Sequence, residues 1–431
     1  MNTITKYILS IIFISVTIFT NAQESELSLS GAIEKALESN YGIIISKSDI
    51  DIAELNNSWG NAGRYPSIGF DVASTNSKDL IDNSANSRIS GGVGLNWTLF
   101  NGFKVNITKD KLEKLEQLSK GRSAVVVENT IQDVVMSYYN ILLQKERLDV
   151  LNKVMQLSKD RYDYEQTKYD LGSSVTYNVL LAKNIYLDDK ASYLNQEVVV
   201  RNAIRNLNFI LGEQPTVVWN FIEEFSSDTV EYILGDMLDK MMANNQTLQN
   251  QYANLLLQQD EIRFQNGSLY PRVSLSAGVD NSYSWINNEG QAEIYNEDLT
   301  PYGNLTLSYD IFSAGNRKRA IDIAKINKQI TQVELEEIKH SLTNQLYNEY
   351  ETYNLRKVLL NVANESLEAA ELNLQIADEK FKSGAINSFN YRDIQLNYLN
   401  SAINQLQSIY NLIYSNTTLT RLTGGFLNEP E

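Results

Sequence analysis

The sequence predicts an α+β membrane protein: an internally duplicated chain with long coiled-coil helices and four amphipathic strands that belong to a shared transmembrane β-barrel. Three observations lead there. Short motifs recur at constant offsets, breaker residues cluster in two windows with period-two alternation, and the remainder runs for tens of residues without proline.

The repeat comes first because it decides the architecture. Tyr65-Pro66 recurs 205 residues later as Tyr270-Pro271, and residues 36–40 (ALESN) parallel 241–245 (MMANN) at the same offset. Beyond these the offset is 212, pairing Leu99-Phe100 with Ile311-Phe312, Tyr169-x-x-Gly172 with Phe381-x-x-Gly384, and Leu211-Gly212 with Thr423-Gly424. One duplication with a seven-residue insertion between Pro271 and Phe312 accounts for both offsets. The expected division is a first copy over 23–212, a link over 213–230, a second copy over 231–425 and a tail over 426–431.

Residues 1–22 read as a secretory signal peptide: Lys6, an apolar run from Tyr7 to Phe19, then small residues ending at Ala22. The apolar run is shorter than the roughly 20 residues of a helical span. No stretch of comparable length and hydrophobicity follows it, so an exported chain would be periplasmic, secreted or a β-barrel.

Of the 21 glycines, 12 fall in 60–102 and 267–315, and these windows alternate. Ile89, Gly91, Val93, Leu95, Trp97 and Leu99 share one face, opposite Ser90, Gly92, Gly94, Asn96 and Thr98. Val273, Leu275, Ala277, Val279 and Tyr283 form the matching face of another strand; Ile68, Phe70 and Val72 belong to a third, and Leu305, Leu307, Tyr309 and Ile311 to a fourth. The resulting hairpins cover 65–100 and 270–313. Strands that approach the roughly 9 to 11 residues of a tilted bilayer crossing favour a membrane sheet over a soluble one. Trp97, Phe100, Tyr309 and Phe312 at one end suit an interfacial girdle. Four strands cannot close a barrel, and an open edge in lipid strands backbone polar groups, so copies of the chain must pool them. Two copies give eight strands and three give twelve; the pattern alone does not choose.

Helical periodicity covers about 104–157 and 162–211, and again 317–376 and 378–423, with the turn of each pair at Gly172 or Gly384. Heptad-like apolar stripes between charged residues indicate coiled-coil packing.

Composition excludes much else. A net charge of −16 argues against nucleic acid, and zero cysteines exclude disulfides, thiolate metal sites and an acylated N-terminal cysteine. A single histidine, His340, cannot build a metalloprotease motif or support more than a solvated surface reading. Gly91-Gly92-Val93-Gly94 lies in a strand and fails the context of a phosphate loop. Asp188 and Asp189 diverge on a helix, and the acidic loop around Asn287, Asn288, Glu289, Gly290, Glu293, Glu297 and Asp298 reads as solvated rather than calcium-binding. No catalytic site, cofactor or metal is expected.

The signal peptide, the duplicated hairpin-and-helix unit, the Tyr-Pro strand starts, the Leu-Phe-Asn-Gly and Ile-Phe-Ser-Ala-Gly strand ends (99–102, 311–315) and the Y-x-x-G and F-x-x-G turns together resemble the TolC-type outer-membrane efflux proteins, over about 27–425. The resemblance implies a homotrimer with a twelve-stranded outer-membrane barrel continuous with a periplasmic α-helical tunnel. It implies passive export in a tripartite efflux or type I secretion system, with an inner-membrane pump of resistance-nodulation-division or ABC type and a periplasmic adaptor. The adaptor would bind the tips Gly172, Ser173, Ser174 and Val175 and Gly384, Ala385, Ile386 and Asn387. Positions that carry paired gate aspartates in a well-known member are Asn390 and Asp393 here, so one acidic ring has lost its charge. The competing expectation is a periplasmic coiled-coil scaffold without a channel.

Overall fold

The computed structural model describes residues 25–79, 81, 84–288 and 294–428; the expected signal peptide, residues 289–293 of the acidic loop and the end of the tail lie outside the described residues. In chain order the elements are β1 (Ser25–Leu27), α1 (Leu29–Ser39), α2 (Tyr41–Asn56), β2 (Ser67–Asp79), β3 (Ser84–Phe100), α3 (Lys104–Asp170), α4 (Thr176–Ile210), β4 (Trp219–Phe221), α5 (Leu234–Asn244), α6 (Gln246–Asn266), β5 (Arg272–Asn288), β6 (Ile294–Ser308), α7 (Asn316–Lys382), α8 (Ser388–Leu422) and α9 (Gly425–Asn428). The described residues fall into two compact units: 25–44 with 126–245 and 343–428, and those within 45–125 with those within 246–342.

In the second unit β2, β3, β5 and β6 form one antiparallel sheet in that order. Its register aligns the apolar residues: Phe70 faces Val93, Val93 faces Val279, and Val279 faces Pro301. The neighbouring row is Asp71, Gly92, Asp280 and Thr300. Because side chains alternate along each strand, this alignment gives the sheet one apolar and one polar face, as the alternation predicts. The apolar face is not covered by the chain itself: Ile68, Phe70 and Val72 are 71%, 73% and 63% exposed. Among the described residues β2 and β6 pair on one side only, so the sheet ends in two open edges. Elsewhere in this unit Asp260 is buried and receives Lys114 from α3 and Arg263 from its own helix α6.

In the first unit β1 and β4 pair in parallel, Leu27 opposite Phe221. The hydroxyl of Tyr138 of α3, fully buried, donates to the Glu223 carboxylate and lies 2.8 Å from the Leu27 carbonyl, and Leu27, Val134, Ile141, Leu207 and Trp219 pack around the ring. Among the described residues no helix is long and apolar enough to cross a membrane.

Three expectations need correction. The helices α3 and α7 do not stop near 157 and 376 but reach Asp170 and Lys382, 67 residues each, or roughly 100 Å at 1.5 Å per residue. The apolar stripe of α3 gives way to Ser158, Arg161 and Glu165, yet these stay on its buried face, at 1%, 2% and 5% exposure, and the helix continues beneath them. Second, β6 begins at Ile294 and ends at Ser308, so Tyr309 and Ile311 lie beyond it. There the Arg317 guanidinium takes the Asp310 carbonyl, and Ala314 and Gly315 at φ 49° and 77° turn the chain into α7. Third, the link 213–230 contains β4, and α1, α2, α5 and α6 lie outside the helical runs read from the sequence, although α1 and α5 each bury an apolar face, at Ala32 and Ala36 and at Met237 and Met241.

Candidate functional site

Each long helix ends at a glycine because the closing turn needs a left-handed residue. Gly172 has φ 74° and donates to the Tyr169 carbonyl at 2.9 Å, while Ser173 N–H reaches Lys168 O at 2.8 Å. Gly384 has φ 77°, bonds Phe381 O at 3.0 Å, and Ala385 N–H bonds Lys380 O at 2.8 Å. Both are Schellman closures, in which a side chain at the left-handed position would be strained. Ser174 Oγ donates to Glu165 at 2.8 Å in the first tip; in the second, Asn387 Oδ1 caps α8 by accepting from Phe389 and Asn390 N–H at 3.1 and 2.9 Å.

The structure brings the two tips together. Ser173, Ser174, Gly384, Ala385, Ile386 and Asn387 line one groove of about 720 Å³, floored by Tyr164 and Phe381. Gly172 and Val175 are exposed beside it. Below the groove Phe381 stacks on Tyr391 at 4.8 Å between centroids, within a core that includes Val154, Leu374, Tyr398 and Ala402.

Asn390 and Asp393 lie one turn apart on the exposed side of α8. Their neighbour Arg392 points the other way, into the first copy. It clasps Asp189 of α4 with two bonds, 2.7 and 2.8 Å, and contacts Ser158 of α3, whose hydroxyl also donates to Asp189. Sequence reasoning placed Asp188 and Asp189 on diverging faces, as they are, but missed this clasp. The available signal was a run of polar residues, Ser158, Arg161 and Glu165, at heptad spacing where apolar ones were due.

The aromatics of the sheet divide. Trp97 lies on the apolar face and its indole donates to Arg64 O at 2.9 Å. Phe100 turns into a cluster with Phe103 and Tyr270. Tyr309, under the Arg317 guanidinium, and Phe312, 86% exposed, lie off the strand. A second group, unnoticed in the sequence, occupies the opposite end of the same face: Trp285 and Tyr283 on β5 against Tyr295 on β6. Trp97 pairs with Leu275, ten residues from Trp285. Along a strand tilted by about 40° that separation rises roughly 25 Å, the height of the apolar band of an outer-membrane barrel.

Among the described residues no group of histidine, cysteine or carboxylate side chains could hold a metal ion. His340 is exposed on α7.

The model of the outer membrane efflux protein family matches residues 32–213 and 237–425. In fold the chain is similar to CusC, with TM-score 0.76 at 15% identity over 95% of each chain. It is also similar to the CmeC outer membrane channel of Campylobacter jejuni, with TM-score 0.72 at 16% identity over 94% of this chain and 87% of that one. The outer membrane protein VceC of Vibrio cholerae gives TM-score 0.72 at 13% identity over 92% and 96%. No curated protein sequence matches the chain.

Proposed function

The chain belongs to the outer membrane efflux protein family, and on that premise we propose that it is the exit duct of a tripartite efflux or type I secretion system. Three copies pool their strands into a twelve-stranded barrel in the outer membrane, and their helices extend into the periplasm as a tunnel. Transport through it is passive: the pump in the inner membrane supplies the energy, and an adaptor connects the two. The groove between the tips at Gly172 and Gly384 receives the adaptor.

The single observation that carries this reading is the sheet with an exposed, in-register apolar face and two open edges. Apolar side chains in a row suit lipid, and open edges in lipid must be paired. Eight strands make a barrel whose interior side chains fill it, so the pooling that leaves a bore is the larger one. On the tunnel axis the three Asp393 carboxylates form a cation-preferring ring, with Asn390 one turn away adding polar narrowing without charge.

Mass measurement of the detergent-extracted protein tests the assembly, with a trimer expected; a monomer soluble in plain buffer would favour the scaffold instead. The faces are tested by arginine. Val93→Arg or Leu275→Arg is expected to lower barrel stability by roughly 2 to 4 kcal/mol, while Gly94→Arg or Ser276→Arg is tolerated better. Equal sensitivity of both faces in an outer-membrane assembly assay would remove the barrel.

A further inference from the structure

Where the sheet of the second unit meets its helices, a polar pocket of about 580 Å³ collects three cations: Lys104 at the start of α3, Arg272 at the start of β5 and Arg317 in the first turn of α7. Lys104 Nζ donates to Ser268 Oγ at 2.7 Å and Arg317 Nη1 to the Ser268 carbonyl at 3.3 Å, so two like charges are drawn onto one residue. Arg272 reaches Thr98 Oγ1 at 3.4 Å, and Arg317 also takes Ser313 Oγ and the Asp310 carbonyl. Among the described residues the hydrogen bonds of all three go to hydroxyls and carbonyls, none to a carboxylate. The next lysines of α3 are answered: Lys111 meets Glu261 at 2.6 Å, and Lys114 meets Asp260.

The fold does not require these charges. At the offsets of the repeat Lys104 corresponds to Asn316, Arg272 to Ser67 and Arg317 to Val105, so the equivalent positions of the duplicated junction carry no cation. Bringing three together costs mutual repulsion unless a counter-charge joins them. Burial holds the Lys104 ammonium below its ordinary value, against a smaller upward pull from Glu261, whose carboxylate Lys111 and Gln265 already engage. The place of Lys104 is also prepared. A Cβ at Gly267 would meet Lys104 Cγ at 2.8 Å, so the lysine stem lies against bare backbone.

We infer that this pocket is an oxyanion site: Lys104, Arg272 and Arg317 bind a phosphate or carboxylate group carried by an anionic cargo molecule in the duct. The guanidinium groups supply forked donors that match an oxyanion, and the ammonium adds a point charge. Asp310 is the one carboxylate that lines the pocket among the described residues, which leaves a cationic excess in a chain of net charge −16. Tyr309, under the Arg317 guanidinium, offers a ring to the body of an organic anion. That the anion is cargo rests on the duct reading. Arg272 stands on the polar face of β5 with Ser274 and Ser276, the face which that reading turns to the lumen, and three copies place three such sites around the bore.

The test uses the detergent-extracted full-length protein and two probes, inorganic phosphate and phenyl phosphate, with binding read by phosphorus NMR and titration calorimetry. Both are expected to bind the parent. Arg272→Gln, which gives up one long hydrogen bond to Thr98, and Lys104→Met are each expected to weaken binding roughly ten-fold. Lys325→Gln, farther along α7 beside Asp322, is expected to leave it unchanged. No loss in Arg272→Gln and Lys104→Met, or an equal loss in Lys325→Gln, would overturn the site. Binding of inorganic phosphate without phenyl phosphate would overturn the assignment to cargo. In planar bilayers phenyl phosphate is expected to lower the current of the parent and to lose that effect in Arg272→Gln; a pore that it leaves untouched also overturns the cargo assignment. If the protein forms no pore yet binds both probes through Arg272 and Lys104, the oxyanion site stands and the duct reading falls.

Discussion

The first copy pairs a 67-residue helix with a 35-residue one, and the second copy does the same at an offset of 212. At equivalent buried positions, however, the side chains differ. Ser158 and Glu165 of the first copy correspond to Ala370 and Ala377 of the second, and Asp189 corresponds to Ser401. Arg392 and Asp393 of the second copy correspond to Leu180 and Leu181 of the first. Glu128, buried, corresponds to His340, exposed. The strand-to-helix turn shows the same freedom: its two left-handed residues are Gly102 and Phe103 in one copy, Ala314 and Gly315 in the other. Duplication preserved backbone lengths, which set the geometry, and let the polar contacts diverge so that one copy can clasp the other.

The largest expected effect breaks that clasp. Asp189→Ala leaves the half-buried Arg392 guanidinium without its carboxylate, and is expected to destabilise the assembly by about 3 to 5 kcal/mol in denaturant unfolding. Ser401→Ala, at the equivalent position of the second copy, should cost less than about 1 kcal/mol. Equal effects at the two sites would contradict the asymmetry.

A second comparison is one of pH. Burial raises the Glu128 carboxyl from its ordinary 4.5 to about 7, against a smaller opposing pull from Arg421. The folded state therefore holds this proton more tightly than the unfolded chain. Its contribution is fully present below pH 4.5 and is lost as the pH rises to about 7. Glu128→Gln should remove that decline and stabilise the protein at pH 8 by on the order of 1 to 3 kcal/mol.

The smallest effect concerns the caps. Asn387 caps α8, whereas Val175 in the first copy offers α4 no side-chain bond. Asn387→Ala should cost about 1 kcal/mol, and Val175→Asn should gain somewhat less, read as local hydrogen exchange at the first turn of each helix. No difference between the copies would show that the groove, rather than the cap, orders these turns.

Much of this was legible beforehand for a local reason. Alternation with period two assigns each strand residue to a face without knowledge of its partner, and Tyr169-x-x-Gly172 and Phe381-x-x-Gly384 mark turns because only a left-handed residue closes them. The helix ends near 157 were misread because an apolar stripe stands in for burial, and Arg161 is buried without being apolar. Trp285 and Tyr295 went unnoticed as a girdle because their strands are adjacent only in register.

The sequence by itself determined the repeat, the strand faces, the left-handed turns and the breaker-free helices, since each depends on residues a few positions apart. Only the tertiary structure decided that the two tips share a groove, that Arg392 takes Asp189 across more than 200 residues of chain, and that Arg161 is left unpaired. A salt bridge is a matter of a few ångströms between groups whose separation along the chain carries no information about their distance in space.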